Sequence, residues 1–209
     1  MQVKRFAVFA SGGGTDFQSL IDACKAGRIK AEICLLIAGK QGIFAIERAK
    51  KAGIPVEVIQ KSTFESVDAF DQAILDTLLR YKADFAVLAG YLSIVGPKTI
   101  AAYRNKIINI HPALIPSFCG MGYYGSKVHR AVVDSGVKIS GATVHFVDEM
   151  ADHGPIIMQK SVPVYAADTP DDVAKRVLAL EHEILPEAVA LMAEDKLEVI
   201  NNIVHIQGQ

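Results

Sequence analysis

Ile107-Ile108-Asn109-Ile110-His111-Pro112-Ala113-Leu114-Ile115-Pro116 places four isoleucines around one amide and one imidazole. A β-branched run of this kind predicts a buried strand, because such side chains fit a pleated, packed surface. Alternation puts Asn109 and His111 on one face of that strand. Pro112 has no N–H for a ladder, so the strand ends beside His111. A polar pair at the carboxyl end of a strand lies where open α/β sheets bind their ligands. A core histidine and a structural amide, both satisfied by backbone, form the competing reading of the same ten residues.

Working outward, strands and helices alternate. Val3 to Ala10 reads as a buried first strand. Phe17, Leu20, Ile21 and Cys24 form the i, i+3, i+4, i+7 stripe of a helix, and Gly27 stands where a C-terminal cap belongs. Further strands are expected at Ala31 to Ile37, Ile54 to Ile59 and Asp84 to Ala89. Helices are expected at Phe44 to Ala52, from a capping box at Ser62-Thr63-Phe64-Glu65, and from Pro97 to about Tyr103. The pattern predicts βαβ units and a doubly wound, mostly parallel α/β sheet with helices on both faces. Beyond a loop at residues 116–125 come a helix from Lys127 to Val133, two strands close together (Ile139 to Val147 and Pro155 to Val164), and a long helix. Thr169-Pro170-Asp171-Asp172 opens that helix, which runs to about Met192. The tail from Lys196 yields no reading.

Between the first strand and helix lies Ser11-Gly12-Gly13-Gly14-Thr15-Asp16. Glycines let backbone N–H groups approach a ligand, and a helix N-terminus favours an anion. The loop lacks the Gly-Lys-Ser/Thr ending of a Walker loop, and Phe17 fills the last position of a dinucleotide fingerprint. It is read as a phosphate cradle in preference to a plain turn. Asp16 is a poor neighbour for phosphate and is read as a helix cap or a sugar-hydroxyl ligand. The loop Asp148-Glu149-Met150-Ala151-Asp152-His153-Gly154 is either a solvated hairpin or a source of one carboxylate for the ligand crevice.

Composition narrows the partners. The chain has 209 residues, 51% of them hydrophobic, which suffices for a core without staples. Lys and Arg number 22 against 23 Asp and Glu, a net charge of -1, and no basic stripe marks a nucleic-acid partner. Cys24, Cys34 and Cys119 are scattered without metal spacing, as expected of a reducing cytoplasm. No apolar run is long enough for a bilayer, and no signal peptide is read. No metal is expected.

Asn109-Ile110-His111-Pro112, Leu114-Ile115-Pro116, Gly141-Ala142-Thr143-Val144-His145-Phe146-Val147 and Asp152-His153-Gly154-Pro155-Ile156-Ile157 together resemble the formyltransferase family that uses 10-formyltetrahydrofolate. The resemblance extends over nearly the whole chain. Within the family the glycine loop resembles the branch that formylates glycinamide ribonucleotide (GAR), whose ribose phosphate such a loop would hold. The branches with a C-terminal tRNA-binding domain or an N-terminal regulatory domain fit the length less well. What the resemblance implies is a single domain, with residues 1–105 as a phosphate-binding half and 106–209 as a folate and catalytic half, monomeric or homodimeric.

The same resemblance assigns roles. Asn109 and His111 stabilise the oxyanion, and Asp152 raises the His111 pKa to keep the imidazole cationic near neutral pH. Gly14, Thr15, Asp16 and Glu181 contact the substrate. Leu92, Ser93, Ile94, Val95, Asn109, Asp148, Glu149, Met150, Ala151 and Asp152 form the folate pocket, and the peptide before Pro116 is cis. His129 and His145 are read as supporting residues. Thr15-Asp16 and Ala38-Gly39 each stand where Ser-Asn is common, and Val67 where some members carry arginine. Substrate contacts and affinity for the folate tail are therefore the expected points of difference. A formyltetrahydrofolate deformylase and a non-catalytic folate or phosphoribosyl sensor are the alternatives.

Overall fold

The computed structural model describes residues 3–208. Strands β1 (Lys4–Ala10), β2 (Ala31–Ala38), β3 (Val56–Val58), β4 (Phe85–Leu88), β5 (Ile107–His111), β6 (Ile139–Phe146) and β7 (Ile156–Pro163) form one sheet in the order β3-β2-β1-β4-β5-β6-β7. The first five are parallel, and β6 and β7 run antiparallel at one edge. The helices are α1 (Thr15–Lys25), α2 (Phe44–Ala52), α3 (Val67–Arg80), α4 (Pro97–Ala102), α5 (Ser126–Asp134) and α6 (Pro170–Ala193).

Strand alternation divides the core in two. Phe6, Val8, Ile108 and Ile110 face one side with Phe17 and Leu20 of α1 and Val177 and Leu185 of α6. Ala7, Phe9 and Ile107 face the other with Phe70, Ile74 and Leu78 of α3. Both sides of β1 are buried, which is why it reads as a continuous apolar run. The layering is the expected one, and β5 ends at His111, as Pro112 requires.

Three local expectations need correction. The capping box at Ser62 does not form. Residues Lys61–Thr63 make a short 3-10 turn, and the Ser62 hydroxyl accepts from the Gln60 side-chain amide at 2.7 Å instead of from a helix N–H. Ser66 caps α3 instead, accepting from the Ala69 N–H at 3.0 Å. Ser66→Ala should lower stability by about 1 kcal/mol, read as a melting-temperature drop of roughly 2–4 °C; an unchanged melting curve would show that the cap contributes nothing. The third strand is shorter than expected because it is a sheet edge entered through Pro55, which cannot donate. The tail is also structured. Strands β8 (Leu197–Ile200) and β9 (Ile203–Ile206) form a hairpin turned by Asn201 and Asn202, both at positive φ (49° and 65°). Two such residues between alternating strands give a two-residue hairpin turn, so Asn-Asn was the available signal.

Helix α6 begins with a complete capping box, Thr169 and Asp172 satisfying each other's backbone N–H groups. It continues through Pro186, which is buried and leaves the His182 carbonyl without its usual i+4 donor.

Candidate active site

The parallel strands β1 and β4 and the end of β5 present their loops at one edge of the sheet. Those loops are tied together. The Ser11 hydroxyl, at the start of the glycine loop, accepts from the Leu92 N–H at 3.1 Å, and the Ser11 N–H donates to the Gly90 carbonyl. Gly39, at the end of β2, packs so closely that an added Cβ would lie 2.7 Å from Ser11 Oγ and 3.2 Å from the Tyr91 ring. The Gly39 departure from Ser-Asn thus has a packing reason.

Beyond β5, the loop at 112–118 is pinned from β6 and β7. Thr143 Oγ1 donates to the Ala113 carbonyl at 2.7 Å and accepts from the Ile115 N–H at 3.1 Å. Gln159 donates its amide to the Ile115 carbonyl at 3.0 Å and to Thr143 Oγ1 at 2.9 Å. The Ile115–Pro116 peptide is cis. These bonds fix the chain that covers His111.

A cavity of about 550 Å3 opens here. Leu92 to Val95, Asn109 and Asp148 to Asp152 all line it, so the structure brings together every position assigned to the folate pocket. Tyr91, the loop Gly120 to Tyr124 and His145 line it as well, and none of these was singled out as a ligand contact. Leu92, Ile94, Met121 and Met150 are exposed at its rim. A concave, mostly apolar space with few polar groups suits a flat heterocycle. Val67 lies outside this lining, exposed at the first position of α3.

Four side chains converge at the polar end. Asn109 Nδ2 lies 3.0 Å from His145 Nε2 and donates to Asp152 Oδ1 at 3.4 Å. His145 directs Nδ1 at the Phe146 carbonyl, 2.7 Å away, so its Nε2 is the acceptor for Asn109. Asp152 Oδ2 accepts from the Gly120 N–H at 2.9 Å and stands 3.5 Å from His111 Nδ1. His111 Nε2 donates to the Phe118 carbonyl at 2.9 Å. His145 pairs with Asn109 across the antiparallel β5–β6 register, which no single segment of sequence displays. It belongs to this cluster rather than to the core alone.

The electrostatics correct one expectation. Burial lowers the His111 pKa, and it outweighs the Asp152 charge and the Phe118 hydrogen bond that raise it. His111 is therefore neutral at neutral pH, with its proton on Nε2. For Asp152 burial acts upward, but the His145 and His111 imidazoles and the Gly120 N–H together hold the carboxyl below its usual range. Asp152 is ionised. Phe118 (φ 52°) and Asp152 (φ 56°) both occupy the left-handed region. For a bulky residue such as Phe118 this stores roughly 1–3 kcal/mol, directly at the carbonyl that holds His111.

At the glycine loop, Gly14 adopts φ 69° at the start of α1 and lies against Ala45, which a Cβ would approach to 2.8 Å. Thr15 is exposed at the first helical position. Asp16 makes no cap bond. Its Oδ1 lies 3.6 Å from His182 Nε2 on α6, and Glu181 is buried beside it. The four positions assigned to substrate thus gather where α1 meets α6. Arg48 of α2, not singled out from sequence, donates to the Gly13 carbonyl at 2.8 Å and to Gln18 Oε1 at 3.0 Å. The two expected halves interleave, since residues 92–95 line the cavity and Glu181 joins the glycine loop.

The sequence profile described as "Formyl transferase" matches residues 4–189. The chain belongs to the formyl transferase family. Among formyl transferase relatives, phosphoribosylglycinamide formyltransferase of Escherichia coli (strain K12) is 36% identical over 97% of this chain and 93% of its own length. The chloroplastic phosphoribosylglycinamide formyltransferase of Arabidopsis thaliana is 42% identical over 93% of this chain and 67% of its own. The crystal structure of glycinamide ribonucleotide transformylase 1 from Symbiobacterium toebii superposes with a TM-score of 0.92 at 39% identity, covering 98% of this chain and 94% of that one. The mostly parallel seven-stranded sheet with its antiparallel edge is thus a formyl transferase fold. Among the described residues, no helix is long and apolar enough to cross a membrane.

Proposed function

We propose that this chain transfers the formyl group of 10-formyltetrahydrofolate to the amine of glycinamide ribonucleotide in purine biosynthesis, as one cytoplasmic domain acting alone or as a homodimer. The observation that carries the reading is the junction of two sites. An apolar cavity with Asn109, His145 and Asp152 at its polar end adjoins, through the Ser11–Leu92 hydrogen bond, a glycine loop at a helix start. One site suits a pterin and the other a ribose phosphate.

The amine nitrogen attacks the formyl carbon, giving a tetrahedral intermediate with negative oxygen. Asn109 supplies the N–H for that oxygen, since its 3.4 Å bond to Asp152 is the weaker of its two and the one readily exchanged. The amine proton passes by way of the Asp152 carboxylate, which lines the cavity, to Nδ1 of neutral His111 3.5 Å behind it, and Asp152 stabilises the imidazolium. The proton then passes to the folate nitrogen as its bond to the formyl carbon breaks. The products are the formylated amine and tetrahydrofolate. No covalent enzyme intermediate is required, so Cys119 has no role as nucleophile.

Formyl transfer measured with and without glycinamide ribonucleotide tests the reading. Folate turnover should depend on the amine and yield formylated product. Formate release without the amine would instead identify a deformylase, and folate binding without turnover would identify a sensor.

A further inference from the structure

Gly96 opens α4 without a side chain to cap it, and Pro97 at the first helical position has no N–H. The N–H groups of Lys98 and Thr99 still need acceptors. Asp71, in the second turn of α3, supplies both from across the fold. Its Oδ2 accepts from the Lys98 N–H at 2.8 Å, and its Oδ1 accepts from the Thr99 N–H at 3.3 Å and the Thr99 hydroxyl at 2.6 Å. Asp71 is 1% exposed and Thr99 is fully buried, so solvent cannot take over these bonds. Gly96 lies directly on the carboxyl group, since a Cβ there would come within 2.3 Å of Asp71 Cγ and 2.4 Å of Oδ2. Lys98 adds a clamp at the surface, its Nζ pairing with Asp68 at 2.8 Å.

This join bears on the segment before it. Residues 91–95 form neither helix nor strand, and all five line the cavity. The Ser11 hydroxyl holds one end of the segment at the Leu92 N–H. At the other end Val95 is buried on the Phe70 side of the core, next to Gly96.

Resting on the proposed reading of the cavity as the folate site, we infer that Asp71 is a positioning residue for folate binding. It does not line the cavity; by capping α4 from α3 it fixes the far end of the segment whose side chains form the apolar wall. A cap that only stabilised the fold would leave affinity alone, because a chain that stays folded presents the same site. A cap that holds a binding wall in place sets the fraction of molecules competent to bind.

The test is calorimetric titration of the full chain with tetrahydrofolate, which needs no amine. In Asp71→Asn an NH2 group replaces one acceptor oxygen and faces a backbone donor, so Kd should rise about tenfold. Ser66→Ala, which weakens α3 at its own cap, should bind as the parent does. In the double variant Asp71→Gly with Gly96→Asp, the carboxyl group moves to the helix's own cap position, into the space Asp71 leaves. Its Kd should return to within about threefold of the parent value. Unchanged affinity in Asp71→Asn, an equal loss in Ser66→Ala, no rescue in the double variant, or no binding by the parent overturns the inference. An Asp71→Asn chain found unfolded by circular dichroism overturns it too, since the residue then serves stability alone. Formyl transfer by the parent alongside unchanged affinity in Asp71→Asn removes this inference alone. Weakened binding in Asp71→Asn, with rescue but without formyl transfer by the parent, removes the transferase reading and leaves the positioning role in place.

Discussion

Replacing His111 by Ala should lower kcat for formyl transfer by about a thousandfold, within the range for losing a positioned acid–base group. The folate KM should stay within a few fold. The asymmetry follows from where the side chain lies. His111 is 3% exposed and behind the cavity wall, so the apolar lining at Leu92, Ile94 and Met150 does not depend on it. The proton path does. Steady-state kinetics with the folate varied at saturating amine would check this, and unchanged turnover would falsify the shuttle. The held position of His111 also has a kinetic meaning. Its Nε2–H is engaged by the Phe118 carbonyl on a strained residue. That bond leaves only Nδ1 free to exchange a proton.

Asp152→Asn should have the second largest effect, a loss of about a hundredfold or more in kcat/KM, as expected for removing an electrostatic group from a catalytic site. Asp152 joins four partners: the Gly120 N–H, the His111 and His145 rings and the Asn109 amide. An amide of the same shape keeps at most some of these bonds and none of the charge. The sign of the pH effect follows from the balance at His111. Asp152 raises the His111 pKa against burial, so its removal lets burial lower that pKa further. The acid limb of the kcat/KM profile lies below the usual histidine range in the parent and should move to still lower pH in Asp152→Asn. A limb that stays in place would mean that another group titrates there.

Much of the architecture was legible because it rests on periodicity. The run at Ile107 to His111, the stripe of Phe17, Leu20 and Ile21, and the Thr169 box each carry their own local signal. The errors arise where two local signals compete, as between the Ser62 and Ser66 caps, or where a short turn sequence went unread, as at Asn201-Asn202. The site divides in the same way. The Asn109, His111 and Asp152 assignments came from resemblance, and their convergence depends on β5 lying beside β6 with the following loop folded back. His145 was read only as a supporting residue, and the Gly120 to Tyr124 wall was not assigned, because they join the cluster only through that register and that loop. The neutrality of His111 was misread for a related reason. A nearby carboxylate can be guessed from sequence, whereas the extent of burial that opposes it cannot.

The close fit of Gly39 against Ser11 and Tyr91 bears on how the chain can change by single substitutions. Any side chain at position 39 meets the hydroxyl that holds Leu92, and through it the lip of the folate cavity. An asparagine introduced there alone would disturb both binding loops at once. The change would be tolerated once the Ser11 hydroxyl had turned away or been lost, with the Tyr91 ring giving slightly. The order of mutations therefore matters: position 39 changes readily only after its neighbour at position 11 has.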